Sequence, residues 1–196
     1  SFADDRARQI LRHIATAVFH YAKSMVDEEQ EVQAMYVNER LFLSSNLPSS
    51  MAELRGLTGA DLTELFLTST YVPASDKRGI RSVEKLTAAV QGNRLADIPF
   101  DDDDEREEVA GIAGVISGLV RDPGLYLTHC TVDQAHQYVE GDNHQSKVII
   151  VEGLRPVHAE QNLIVAYCRS GSSAPALVYG KKRPCTGCYL TFAYAY

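Results

Sequence analysis

The sequence has no apolar run approaching the roughly 18 residues of a membrane-spanning helix, so neither such a helix nor a membrane partner is expected. Its opening, Ser1-Phe2-Ala3-Asp4-Asp5, lacks the charge order and apolar stretch of a signal peptide. It reads as a cut boundary, which would leave any native targeting segment outside these residues. Excess positive charge is also missing. A net charge of −7 argues against binding nucleic acid by bulk electrostatics. Internal repeats are absent. Cysteine is sparse, at four residues in 196. A disulfide scaffold is not needed, because a chain of this size buries roughly 70% of its unfolded surface. Apolar residues at 45% and charged residues at 23% are ordinary globular usage, so a single packed core is feasible.

What is present alternates between helix and strand patterns. Residues 4–26 carry Ile10, Ile14, Val18, Tyr21 and Met25 at helical spacing with charges between them. Residues 32–37 and 40–45 read as two strands joined by a tight turn at Asn38-Glu39. Pro48 soon ends the second strand. Ala60–Leu67, Ser82–Val90 and Glu105–Val120 read as helices separated by Pro73, Gly79, Gly92 and Pro99. The acidic run Asp101–Glu105 reads as the solvated start of the last of these, where carboxylates face unpaired N–H groups. Residues 125–130 and 147–151 read as further strands, with Val132–Tyr138 as a short helix between them. Lys147-Val148-Ile149-Ile150-Val151 is apolar enough to be covered on both faces. A helix then starts near His158 and runs to Gly171, Ala176–Tyr179 forms a strand, and Pro184 opens a last helix.

The chemistry is concentrated in the last fifth. His158-Ala159-Glu160 is followed by Pro184-Cys185-Thr186-Gly187-Cys188. One His and two Cys can supply three zinc ligands, and a catalytic zinc site keeps its fourth position open. Cys185 and Cys188, three apart, point the same way from a first helical turn, where free N–H groups favour thiolate over thiol. Glu160 is the informative extra: a structural zinc site has no use for it, whereas a hydrolytic site needs a proton shuttle. The alternative is a structural zinc knuckle with a fourth ligand from His129, His136 or His144. Cys130 and Cys168 read as small buried side chains rather than a disulfide, since the metal site needs reduced thiolates.

The order H-x-E…P-C-x-x-C resembles that of the zinc-dependent nucleobase deaminases. The chain is similar to the cytidine deaminase-like superfamily, closest to its bacterial polymorphic-toxin and nucleic-acid-editing branches. The resemblance implies an α/β fold, a three-layer-type core in which a central sheet carries helices on both faces. Residues 1–196 would form one deaminase domain, with 49–121 as a large helical insertion. It implies Zn2+ on His158, Cys185 and Cys188, with Glu160 as proton shuttle in a hydrolytic deamination. The most expected substrate is cytosine in DNA. Free nucleosides or nucleotides, adenine in RNA, and a non-catalytic zinc-stabilised protein-binding module stay open. Asn46 stands where tRNA adenosine deaminases place an Asn against the substrate sugar; its other reading is a turn residue before Pro48. Ser44 and Ser45 would line the pocket edge, Ala159 and Pro184 would touch substrate, and Lys182 and Arg183 would form a phosphate-facing rim or a solvated loop.

A toxin domain would be secreted or delivered into a target cell's cytoplasm and would meet a cognate immunity protein; otherwise a cytoplasmic enzyme is implied. The sequence departs from the family in two respects. More than a hundred residues separate the second strand from His158. The chain also stops at Tyr196, before the family's usual fourth and fifth strands, as a truncated or a minimal variant would. The strands near 125–130 and 147–151 are an alternative core pair.

Overall fold

The computed structural model describes residues 6–26, 28, 31–140, 145–153 and 157–182. The elements run α1 (Arg6–Met25), β1 (Val32–Val37), β2 (Arg40–Ser45), α2 (Pro48–Ala52), α3 (Gly59–Leu67), α4 (Lys77–Val90), α5 (Asp103–Arg121), α6 (Pro123–Tyr126), β3 (Leu127–Thr131), α7 (Val132–Ala135), β4 (Val148–Glu152), α8 (Ala159–Ser170) and β5 (Leu177–Gly180). The chain is α/β, with a mixed sheet in the order β3-β4-β2-β1-β5. β2 pairs in parallel with β4, and β4 with β3, while β1 is antiparallel to both of its neighbours. The helix expected from Pro184 lies outside the described residues. No helix among those described is long and apolar enough to cross a membrane.

The hairpin is set by its turn. Asn38 and Glu39 have φ of 49° and 56°. Two consecutive left-handed residues match the right-handed twist of the flanking strands, and Asn tolerates that region better than most residues. The Asn38 side chain is held by the Val139 carbonyl at 2.8 Å.

Strand alternation then sorts the core into two layers. Val32, Ala34, Leu41, Leu43, Val148 and Ile150 face one side, beneath α1, α3, α4 and α5. Met35, Val37, Phe42, Ile149 and Val151 face the other, beneath α7 and α8. Central strand β4 is buried from Val148 to Val151, as its continuous apolar run predicts.

Several local readings change. Pro48 does not merely follow a strand: it occupies the first turn of α2, where its missing N–H is not needed. α4 begins at Lys77, well before Ser82, because Asp76 caps it by accepting from the Gly79 N–H at 2.9 Å. On α1, Met25 is 56% exposed, while Leu11, Ala15 and Ala22 take core positions. The apolar stripe turns away because a strict four-residue spacing drifts around a 3.6-residue helix. Cys130 and Cys168 are both free thiols, but only Cys130 is buried. The acidic run is not wholly solvated. Asp102 caps α5, whereas Glu105 is buried and grips Lys85 of α4 at 2.9 and 3.2 Å.

Candidate metal and proton-transfer site

β2, β3, β4 and β5 all end at the same edge of the sheet, and β1 begins there. The crevice beyond the carboxyl ends of parallel strands is the usual binding position in α/β proteins. α8 enters it directly after β4.

The start of α8 displays two groups differently. His158 is extended (φ −65°, ψ 147°) and occupies the N-cap position without capping through its side chain. Its carbonyl accepts from the Gln161 and Asn162 N–H groups at 3.0 and 3.2 Å, and its side chain is half exposed. Glu160, two residues on, is fully buried, and neither carboxylate oxygen has a hydrogen-bond partner among the described residues. The helix N-terminus favours a carboxylate at this place, but a buried carboxylate with no hydrogen bond among the described residues remains expensive. The His158 Nδ1 lies 3.9 Å from the Glu160 Oε1.

A third group comes from the start of β1. Glu31, His158 and Glu160 bring one donor atom each to within 4.8 Å of one another, so the three could hold a metal ion. Imidazole nitrogen and carboxylate oxygen are both ordinary zinc ligands, and an orphaned buried carboxylate suits a site completed by a cation or a bound water. Burial pushes the Glu31 carboxyl above its usual range, and the neighbouring Glu160 pushes the same way; Gln33, His158 and Lys182 oppose them.

The backbone of Glu31 is clamped: its N–H donates to the Asn46 Oδ1 at 2.6 Å, and its carbonyl accepts from the Asn46 N–H at 3.3 Å. Its side chain is held by the Gln33 Nε2 at 3.0 Å. Gln33 also donates to the Lys182 carbonyl at 3.3 Å. Gly180 makes room for this arrangement, since a Cβ there would sit 2.2 Å from the Gln33 side chain.

α8 is stapled to the sheet by Asn162. Its Nδ2 donates to the Ser44 Oγ at 3.1 Å and to the Ser45 carbonyl at 3.3 Å. Ser44 in turn donates to the Val151 carbonyl at 3.1 Å. Gly153 permits the close approach: a Cβ there would lie 2.2 Å from the Asn162 Nδ2 and 2.5 Å from the Ser45 carbonyl oxygen. One buried amide thus fixes where the helix starts, and with it Glu160.

Of the residues singled out from sequence, His158 and Glu160 meet in the crevice. Asn46 borders it by holding Glu31, with its Oδ1 engaged as an acceptor. Ala159 is fully buried between the two key residues. Ser45 is buried too; its hydroxyl accepts from the Leu47 N–H at 3.1 Å, so its carbonyl is the atom that meets α8. Lys182 is exposed beside Glu31. Arg183, Pro184, Cys185 and Cys188 lie outside the described residues, as does His144. His129 and His136 sit on β3 and just after α7, apart from the three-residue group. The sequence reading missed Glu31, Gln33 and Asn162. Asn162 left a trace, as a polar residue immediately before Leu163 on the buried side of α8. Glu31 left none, sitting in an acidic stretch that looks solvated.

No family model, no curated protein and no solved structure matches the chain.

Proposed function

We propose that the chain is a zinc-dependent hydrolytic nucleobase deaminase whose substrate is cytosine in DNA. The observation that carries this reading is Glu160: a fully buried carboxylate with no hydrogen-bond partner among the described residues, two residues from His158 at a helix start. A structural metal site would leave such a group costly and idle, whereas a proton shuttle must be both sequestered and unengaged. The element order supports the same reading. Helix α1, hairpin β1–β2, helix α8 led by His158-Ala159-Glu160, and strand β5 come in the order of the deaminase core, with the helices of 49–121 on the α1 face of the sheet and with β3, α7 and β4 also standing between β2 and α8.

His158 would hold the metal together with Cys185 and Cys188. When bound, zinc makes water a competent nucleophile near pH ~7. The protein's own groups do the rest. Glu160 takes a proton from the attacking water as its oxygen adds to C4 of the cytosine, and passes that proton to N3. It then carries the second proton to the exocyclic amine, which leaves as ammonia, giving uracil. Glu31 stands beside His158 and Glu160, within 4.8 Å of both, at the reacting face. Asn162 acts as a positioning residue through α8. A toxin-type enzyme of this kind would act in a target cell's cytoplasm and be neutralised by an immunity protein.

The test is direct. Purified protein with bound zinc is incubated with single- and double-stranded DNA, RNA and free nucleosides, beside a chelated sample. Uracil in DNA, lost on chelation, is expected. Inosine in RNA, or product from nucleosides only, moves the substrate to the other deaminase branches. No product from any of them while zinc stays bound leaves a zinc-stabilised binding module.

A further inference from the structure

Among the described residues β5 is the last strand on its side of the sheet, and the chain leaves it beside the site. The two lysines that follow diverge. Lys182 stays with the site: its carbonyl accepts from Gln33, and its charge opposes the rise in the Glu31 pKa. Lys181 goes around the sheet edge to α1, where its Nζ lies 3.4 Å from the centre of the Phe19 ring. Lys23, one helical turn from Phe19, reaches over the same ring at 5.7 Å. Phe19 meets His20 edge-on at 5.1 Å, and His20 stacks on Tyr71 with centroids 4.5 Å apart and planes 12° from parallel. Lys23 and Tyr71 are exposed.

This strip is chemically unusual for an acidic chain. No carboxylate pairs with Lys23 or Lys181 among the described residues. Like charge accumulates instead: after burial, Lys181 and Lys23 are what lower the His20 pKa, and Lys182 and Lys23 what lower that of Lys181. Lys23 and Lys181 are thus gathered without counter-charges among the described residues, which costs the folded state, so this pair points to an anion that arrives from outside. The flat aromatic pair beside them narrows its nature. Phosphates spaced along a chain, with unpaired bases able to stack, suit both halves of the strip; a duplex keeps its bases stacked inside and cannot use Tyr71. The contacts Glu31–Gln33–Lys182–Lys181–Phe19–His20–Tyr71 run unbroken from the site to this platform.

We propose that Lys182, Lys181 and Lys23, with the His20–Tyr71 pair, form a track for single-stranded nucleic acid, the lysines meeting phosphates and Tyr71 receiving a base that neighbours the reacting one. The proposal rests on the reading of the crevice as a nucleobase site.

It is tested by fluorescence anisotropy of zinc-loaded protein with a labelled single-stranded DNA of about 15 nucleotides, long enough for one site. Lys23→Ala with Lys181→Ala should weaken binding at least about tenfold and lower the salt slope by about 1.4, or 0.7 for each phosphate no longer neutralised. His20→Ala with Tyr71→Ala should weaken it about 5- to 100-fold with the salt slope unchanged. Arg94→Ala, at an exposed turn elsewhere, should bind like the parent. Thermal melts check each variant; if the alanine pair unfolds, Lys23→Gln with Lys181→Gln keeps the aliphatic stems over Phe19 and serves instead. Equal affinity of all variants, or binding to anionic lipid vesicles but not to the oligonucleotide, overturns the track. Deamination of free nucleosides without oligonucleotide binding sinks the track alone. The predicted binding pattern without any deamination sinks the enzyme reading and leaves the track.

Discussion

Glu105 and Glu160 are both buried carboxylates, one in each helical layer of the fold. Glu105 is surrounded by donors. Lys85 gives it two hydrogen bonds, the Asp101 N–H adds another at 2.7 Å, and Phe100 covers the lysine at 5.8 Å. Glu160 is just as buried, with His158 Nδ1 3.9 Å away, and accepts no hydrogen bond among the described residues. Burial is common to the two, so it cannot be what separates a structural acid from a reactive one. The separating feature is the missing partner: one carboxylate closes a contact between α4 and α5, the other keeps its lone pairs for something that enters.

That contrast can be broken most sharply at Glu160. Glu160→Gln should cut deamination by about 10²- to 10⁴-fold, the usual contribution of a proton-transfer group. Its melting temperature should not drop, because the carboxylate has no hydrogen bond to give up among the described residues. A fall in stability comparable to that at Glu105 would end the distinction. At Glu105 the pattern reverses. Glu105→Gln strands the Lys85 ammonium in a buried setting and should cost about 3 kcal/mol in urea unfolding, the low end for a broken buried pair since Asp101 remains 3.7 Å away. The folded fraction should keep its full turnover.

The smallest effect concerns a buried base. His13 of α1 is 6% exposed, and burial lowers its pKa below 6.5 against the opposing carbonyls of Phe66 and Thr68. The unfolded chain therefore takes up its proton first as pH falls through about 6.5, and stability present above that pH is lost below it, at no more than about 1.4 kcal/mol per pH unit. His20 and His129, also lowered first by burial, add in the same direction. Urea midpoints between about pH 7.5 and pH 5 should fall in the parent and fall less in His13→Leu. A flat profile in both would show that the histidine is not held neutral.

Much of this was readable along the chain. The Asn38-Glu39 turn, the continuous run of β4 and the three long helices after Pro48 all follow from local pattern. His158 and Glu160 were readable because a helix start places them by itself. What could not be read depends on pairing between distant segments. Glu31 matters only because β1 begins beside α8, and Gln33 only because Gly180 lies opposite it. Asn162 acts by reaching across to Ser44 and Ser45. Glu105 looked like one acid among five until α4 supplied Lys85. Parallel pairing leaves no turn in the sequence to announce it.

The pairing of β2 with β4 also sets an order of events. Leu41 lies opposite Val148, with all of α2 to α7 strung between them. A hairpin with a two-residue turn closes in roughly 1–10 μs, while contacts between such distant segments are the slow part of folding. The hairpin can therefore form before β4 and α8 have emerged, whereas the crevice needs both of them and closes only after β2 has found β4 across the intervening helices.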